Sequence, residues 1–280
     1  MRAIFKNKEN ERAITRKGYA VIRNLVQENV CDELKLFFEQ SGMVDQRPFS
    51  ISNWNNDETY RAAIYNKVAS SVLPFVAPLL NNFKPVLAVY TAKRPGEKSD
   101  MLIHQDWSLV DEIKFRSVSV WVALCDMHPN NGNLQVAEYS HIYCGFPRGM
   151  NVPVPFENIR SKMHESFLTD LPLKKGDAVV FEHRLIHASP QNNSAEIRLA
   201  AVLALIPAEA ELIHYYKHLD NNTQLELLVQ NDDDLKQVNY FDAPNKPKHR
   251  RSLGMVPAEF RQLTLEDLET VISEQKNELV

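Results

Sequence analysis

At 280 residues, with 44% hydrophobic and 24% charged side chains, the chain has globular proportions and enough apolar material for a sizeable core. Its net charge of −4 leaves no basic face that would announce nucleic acid as a partner. Three cysteines, Cys31, Cys125 and Cys144, form no close-spaced pair, which argues against a disulfide framework or zinc knuckle and for reduced thiols in a cytosolic setting.

Residues 1–18 are charged throughout and lack the apolar core of a signal peptide. The longest apolar run, residues 199–208, is about half the length of a membrane-spanning helix. The expectation is a cytoplasmic chain with no membrane partner. Residues 9–18 read as a helix, 19–22 as a short strand, and 28–40 as an amphipathic helix with Gly42 as its stop signal. Residues 57–83 form the longest helical reading, with Asp57 as N-cap and with Pro74 and Pro78 breaking or kinking it.

The texture changes after Lys84. Residues 85–92, 101–106, 117–126, 178–181, 185–189 and 197–206 are short β-rich segments. Turn sequences divide them: Arg94-Pro95-Gly96, Pro129-Asn130-Asn131-Gly132 and Pro190-Gln191-Asn192-Asn193. Helices followed by strands, without regular alternation, imply an α+β fold with a mainly β core closed as a sandwich or barrel. There is no internal repeat. Residues 209–257 are polar and uneven, with an acidic run at 232–234 and a basic one at 246–251 that reads as solvent-facing. Thr264, with Asp267 three residues on, opens a final amphipathic helix. The expectation is one domain over 1–280: a core at about 84–207, N-terminal helical support at 1–83, and a C-terminal extension at 208–280 packed on it.

His104-Gln105-Asp106 carries the chemistry. On a strand, residues two apart share a face, so His104 and Asp106 project together while Gln105 points away. Two imidazoles and one carboxylate make the facial set typical of non-haem Fe(II) oxygenases, with the opposite metal face open. His183 and His187 compete to be the third ligand. A turn centred between Asn192 and Asn193 favours His187, because it folds the chain back so that 187 lies near Arg198. Ser189 then faces the same interior. Arg198 stands in an otherwise apolar strand, sharing a face with Ala200, Val202 and Ala204, and a buried guanidinium needs a carboxylate or a hydrogen-bond network. Small neighbours leave room there for a ligand with a remote carboxylate; the competing reading is a structural ion pair with a protein carboxylate. Ser117, Ser119, Trp121, Ala123 and Cys125 likewise share a face, on which Trp121 serves either as a pocket wall or as plain core.

These residues resemble the phytanoyl-CoA dioxygenase family of Fe(II)/2-oxoglutarate oxygenases, from about Tyr19 to Pro207. The carriers are HQD at 104–106, SVSVWVALCDM at 117–127, NGNLQVAEYSH at 131–141, KKGDAVVFEHRLIHASPQN at 174–192, and Arg198 eleven residues past His187. The resemblance implies a double-stranded β-helix, a cupin-like jelly roll of two facing sheets with helices packed outside. It implies His104, Asp106 and His187 as iron ligands, Arg198 with Ser189 as partners of the 2-oxoglutarate remote carboxylate, and Trp121 near the cosubstrate. Tyr90, Thr91 and Lys93 precede the H-x-D and are further candidates to touch cosubstrate or substrate. Glu138-Tyr139-Ser140-His141 departs from the family's usual Pro-Gly-Ser-His, which puts the local turn in doubt but not the ligands. Asp106 stands where related halogenases carry a small residue, so the implied reaction is hydroxylation of an unactivated C–H bond of a small molecule, using O2 and releasing succinate and CO2.

Two other functions fit parts of the pattern: a cupin-type isomerase or 2-oxoglutarate-independent dioxygenase, which would not need Arg198, and a non-catalytic ligand-binding jelly roll. The substrate is not legible. Arg116, Arg148, Lys93 and Arg94 read either as steering groups for an anionic substrate or as solvated surface charge, and residues 42–57 and 145–162 read as the pocket mouth. Nothing in the pattern specifies an oligomeric state.

Overall fold

The helices begin and end where their capping residues stand. In the computed structural model, which describes residues 2–42, 47–143, 145–149, 151–217, 223–237, 250–258 and 260–277, Asn7 caps α1 (Lys8–Lys17) by accepting from the N–H groups of Glu9 and Asn10, and Gly18 ends it in the left-handed region. Strand β1 (Tyr19–Ile22) and helix α2 (Glu28–Gln40) follow. Short strand β2 (Phe49–Ile51), absent from the sequence reading, precedes α3 (Glu58–Val76). Asp57 caps α3 as expected, accepting from Thr59 and Tyr60. Its last turn absorbs Pro74, and the helix stops at Val76, short of Pro78 and of the expected residue 83.

The core strands are β3 (Phe83–Lys93), β4 (Met101–His104), β5 (Val118–Ala123), β6 (Leu134–Val136), β7 (Thr169–Leu171), β8 (Ala178–Glu182), β9 (His187–Ser189) and β10 (Arg198–Pro207). Helix α4 (Arg160–Ser166) lies between β6 and β7. A six-stranded antiparallel sheet runs β1-β8-β5-β10-β3-β2, and a four-stranded one runs β4-β9-β6-β7. With its helices at both ends, this is the expected α+β jelly roll.

Alternation along the strands assigns each sheet face its partner. Leu199, Ala201 and Leu203 of β10, with Val118, Val120 and Val122 of β5, pack outward on Leu34, Phe38, Ile64, Val68 and Val72 of α2 and α3. Ala200, Trp121, Ala123, Val179 and Phe181 point the other way, onto Leu134, Val136 and Leu171 of the smaller sheet. The sheets therefore enclose a second apolar layer, and the cavity opens inside that layer.

The described residues within 209–257 are more ordered than their polarity suggested. They supply β11 (Ile213–Lys217), β12 (Gln224–Val229) and β13 (Ser252–Pro257), a separate three-stranded antiparallel sheet, and the single-turn α5 (Asp234–Gln237). Buried Leu225 and Leu228 anchor β12 from below, a pattern that its polar flanks concealed. The basic run at 246–251 lies largely outside the described residues, as does Cys144. Helix α6 (Leu265–Asn277) starts at the expected reciprocal cap, with the Thr264 hydroxyl accepting from Asp267 N–H and the Asp267 carboxylate accepting from Thr264 N–H. Leu263 and Leu268 pack against Ile103, Ile186 and Ala188, bracing β4 and β9 from behind. Among the described residues, no helix is long and apolar enough to cross a membrane.

Candidate metal centre

The smaller sheet brings the first two candidate ligands together through its register. β4 and β9 pair antiparallel with His104 directly opposite His187, and their ring centroids lie 4.2 Å apart. β4 ends at His104, so Asp106 stands just past the strand in unpaired extended chain. The alternation still holds, because the Gln105 side chain turns away and donates to the Arg184 carbonyl. One ligand atom from each of His104, Asp106 and His187 falls within 4.8 Å of the others. His187 Nε2 stands 3.9 Å from Asp106 Oδ1.

Backbone carbonyls choose the tautomers. His104 Nδ1 donates to the Leu102 carbonyl at 2.8 Å, and His187 Nδ1 donates to the Leu185 carbonyl at 3.0 Å. Both Nε2 lone pairs are thereby left available to a metal. Ser119 of β5, which the sequence reading placed on the right face without a role, donates its hydroxyl to Asp106 Oδ2 at 2.6 Å. The Asp106 carbonyl accepts from Arg148 Nε at 2.7 Å, and Glu112 clamps that guanidinium at 2.6 and 2.9 Å. Burial, with His187 beside it, pushes His104 down to about 3. Burial works to raise Asp106, but His187, His183, His104 and the Ser119 hydroxyl together hold it below the usual carboxylate range. The apo site thus presents neutral imidazole beside ionised carboxylate, the protonation states a divalent cation requires.

His183 and His187 are distinguished by sheet membership. His183 follows β8 on the larger sheet and lines the same cavity, but it is not within the cluster. It is fully buried, and neither ring nitrogen makes a hydrogen bond. It is therefore neither a ligand nor a hydrogen-bonded support for one. The geometric reason given for His187 needs correction as well: β9 and β10 belong to different sheets, so residues 187 and 198 line the cavity from opposite walls and are not brought together along a hairpin.

Arg198 is 2% exposed. Among the described residues its guanidinium has no carboxylate partner; it donates to Thr91 Oγ1 at 3.3 Å, and its Nε makes no hydrogen bond. Its Cζ sits 5.4 Å from the Trp121 ring centroid. The competing reading, a structural ion pair, is not what the fold contains. Burial lowers Arg198 to about 10, still well above neutral pH. Lys93 is its direct partner across the β3–β10 register and is fully buried. Burial, then Arg198, pushes Lys93 down to about 6, and its Nζ donates to the carbonyls of Ser189 (2.7 Å) and Pro190. Arg198, buried with no carboxylate partner among the described residues, suits an anion.

Several expectations are corrected here. Tyr90 does not reach the cavity: it pairs with Ala201, faces α2, and donates its hydroxyl to the Leu34 carbonyl at 2.9 Å. Its neighbour Thr91, on the other face, lines the cavity in its place. Arg116 and Arg148 are neither steering groups nor solvated charge. Both are buried, Arg116 between Glu11 and Glu182 and Arg148 on Glu112. The turn at 138–141 keeps a glycine-like backbone without glycine, since Tyr139 adopts φ 69°. Ser140 Oγ then accepts from the Ile186 N–H at 2.9 Å, fixing the chain just before His187.

Two predictions arise from this geometry. Ser119→Ala should weaken divalent-metal affinity about 10- to 100-fold, because the carboxylate loses the bond that aims it; calorimetric titration with Fe(II) or Co(II) measures it, and an unchanged affinity would remove Ser119 from the account. Secondly, buried His214 is lowered to about 4 and His104 to about 3, both below the ordinary value of about 6.5 for an unfolded histidine. A depressed histidine contributes stability that is complete above its unfolded value and lost as pH falls toward its folded one. The metal-free protein should accordingly melt at progressively lower temperature from pH 6.5 to pH 4. His214→Phe should flatten that slope by about 3 kcal/mol over the window, and parallel slopes for the two proteins would refute its share.

Comparison with known proteins agrees with this geometry. The family model described as phytanoyl-CoA dioxygenase matches residues 14–200. A phytanoyl-CoA dioxygenase of Arabidopsis thaliana is 25% identical over 194 residues, 64% of this chain and 67% of that protein. Phytanoyl-CoA dioxygenase domain-containing protein 1 of Danio rerio is 24% identical over the same shares. Among solved structures, the non-haem α-ketoglutarate-dependent carbocyclase SnoK from nogalamycin biosynthesis superposes with TM-score 0.53 at 17% identity, covering 74% of this chain and 86% of its own. HygX from Streptomyces hygroscopicus, with nickel, 2-oxoglutarate and hygromycin B bound, gives 0.52 at 16% identity, with 78% and 92% covered. At such identities the structures speak for the fold, while the match over two thirds of the sequence establishes kinship: the chain belongs to the phytanoyl-CoA dioxygenase family.

Proposed function

We propose that this enzyme is an Fe(II)/2-oxoglutarate-dependent dioxygenase that hydroxylates an unactivated C–H bond of a small molecule, releasing succinate and CO2. One observation carries the reading: a two-histidine, one-carboxylate cluster shares its cavity with a buried arginine that has no carboxylate partner among the described residues. When bound, ferrous iron with 2-oxoglutarate supplies the oxidising power for O2-dependent C–H cleavage.

The chain's own residues do the rest. His104, Asp106 and His187 hold one face of the metal, their orientation set by the Leu102 and Leu185 carbonyls and the Ser119 hydroxyl. Arg198, with Ser189 and Thr91 beside it, takes the remote carboxylate of the cosubstrate, a pairing of fixed donor geometry in a dry pocket. Lys93 holds the Ser189–Pro190 backbone in place for this. Trp121 closes that end, and apolar side chains make up most of the surrounding wall.

The proteins of similar fold include a carbocyclase and an epimerase, so C–H activation within this architecture has more than one outcome. Asp106 in the ligand set leaves no place for a halide, so hydroxylation is proposed ahead of halogenation. Succinate formation by the full chain with Fe(II), 2-oxoglutarate and candidate substrates tests the proposal. An Arg198→Ala chain that forms succinate at the parent rate would sink the cosubstrate assignment. Turnover of substrate without succinate would point to cupin-type chemistry instead.

A further inference from the structure

The direction of the cavity carries information about the substrate. Along β10 the inward row is Arg198, Ala200, Val202 and Ala204, a distance of about 20 Å, opposite Lys93, Thr91, Val89 and Leu87 of β3. Ser119, which fastens Asp106, pairs with Ala204 at the far end of that row from Arg198. The cavity therefore has a cationic end at Arg198, with the metal cluster farther along toward Ala204. Beyond the cluster the wall is apolar, and Ala204, Leu109 and Leu235 belong to one continuous hydrophobic cluster with Leu87 and Trp107 packed on it.

Among the described lining residues the ionised groups are Asp106 and Arg198, and the proposed function engages both. Nearby cations are held outside the lining: Arg116 on Glu11 and Glu182, Arg148 on Glu112, Arg160 on Glu157, Lys93 on two backbone carbonyls, and Arg47 over the Trp54 ring. An ionised group pushed along this wall would lose part of its hydration, and the neutral side chains there, Asn53 and His183 among them, offer no opposite charge to replace it. The cavity measures about 260 Å³; an enclosed apolar cavity of about 150 Å³ holds a benzene. Cosubstrate and one compact hydrocarbon unit would fill it.

Resting on the reading of the site as a 2-oxoglutarate oxygenase, we infer that the moiety presented to the metal is uncharged and apolar, a compact alkyl, terpenoid or aryl unit, and that carboxylates at that end are excluded. The fold provides its own reporter. The chain has three tryptophans, and all of them line this cavity, Trp121 at the Arg198 end and Trp54 and Trp107 elsewhere along its wall.

The test uses the full chain loaded with Zn(II), which cannot turn over, and reads tryptophan emission. 2-Oxoglutarate is titrated first, then geraniol, cyclohexanol and 2-phenylethanol, each against the carboxylic acid of the same skeleton, with glucose and decanoyl-coenzyme A as further arms. At least one neutral apolar probe should bind ten-fold or more tighter than its acid, than glucose and than the thioester. Ala204→Phe, which fills the chamber, should weaken that probe at least ten-fold. The affinity order is read on the unaltered chain, so the inference stays testable if the variant does not fold. An acid, glucose or the thioester binding as tightly as the neutral probes would overturn it. So would 2-oxoglutarate binding with no response to any neutral probe. A chain that fails to bind 2-oxoglutarate refutes the proposed function, and this inference with it.

Discussion

Replacing His187 with alanine is expected to abolish iron-dependent succinate formation and to remove the rise in melting temperature that iron confers. His187 supplies an available Nε2 from a buried strand position opposite His104, and among the described residues no third histidine lies within the cluster. Three protein ligands share the metal's binding free energy. A structural site of four ligands is worth about 10–16 kcal/mol in all, roughly 2.5–4 kcal/mol per ligand, a loss of about two to three orders of magnitude in affinity. Substituting His183 tests the choice between the two histidines. It lines the cavity but makes no hydrogen bond to a ligand, so His183→Phe should retain metal binding within a few-fold. Calorimetric titrations of both variants, with melts at fixed metal excess, decide the matter. Reversed outcomes would transfer the third ligand to residue 183.

Arg198→Leu should separate stability from function in opposite directions. The guanidinium is buried with one hydrogen bond, to Thr91, and no neutralising carboxylate among the described residues. Opposite it in register, Lys93 is pushed down to about 6 by burial and by Arg198 itself. An uncompensated buried charge destabilises a fold, so the apolar leucine should raise the melting temperature of the cosubstrate-free protein. The same change removes the partner of a buried carboxylate, which costs about 2–5 kcal/mol in binding, a rise in the KM for 2-oxoglutarate of roughly 30-fold to several thousand-fold. The protective effect of 2-oxoglutarate on the melt should vanish in parallel. A variant that melts lower while binding 2-oxoglutarate normally would make Arg198 a structural residue.

Sequence periodicity by itself determined the parity of the strands, and with it much of the site. Alternation in β10 put Arg198 on the face with Ala200, Val202 and Ala204, and alternation in β5 put Ser119 with Trp121; both assignments hold because the pleat allows no other arrangement. The same rule could have eliminated Tyr90, since it and Thr91 point oppositely. Caps at Asp57 and Thr264 were legible for a similar reason, being contacts over two or three residues.

Only the tertiary structure decided which strands belong to which sheet. That choice places His187 opposite His104, leaves His183 on the other wall, and makes Arg116 and Arg148 buried clamps instead of surface charge. Burial of a charge depends on a partner far along the chain, as with Arg116 and Glu11 or Lys93 and Pro190. Local pattern carries no record of such pairings. The three-stranded sheet within 209–257 stayed hidden for the same reason: its strands are stabilised by one another and by buried Leu225 and Leu228, not by any marked alternation of their own.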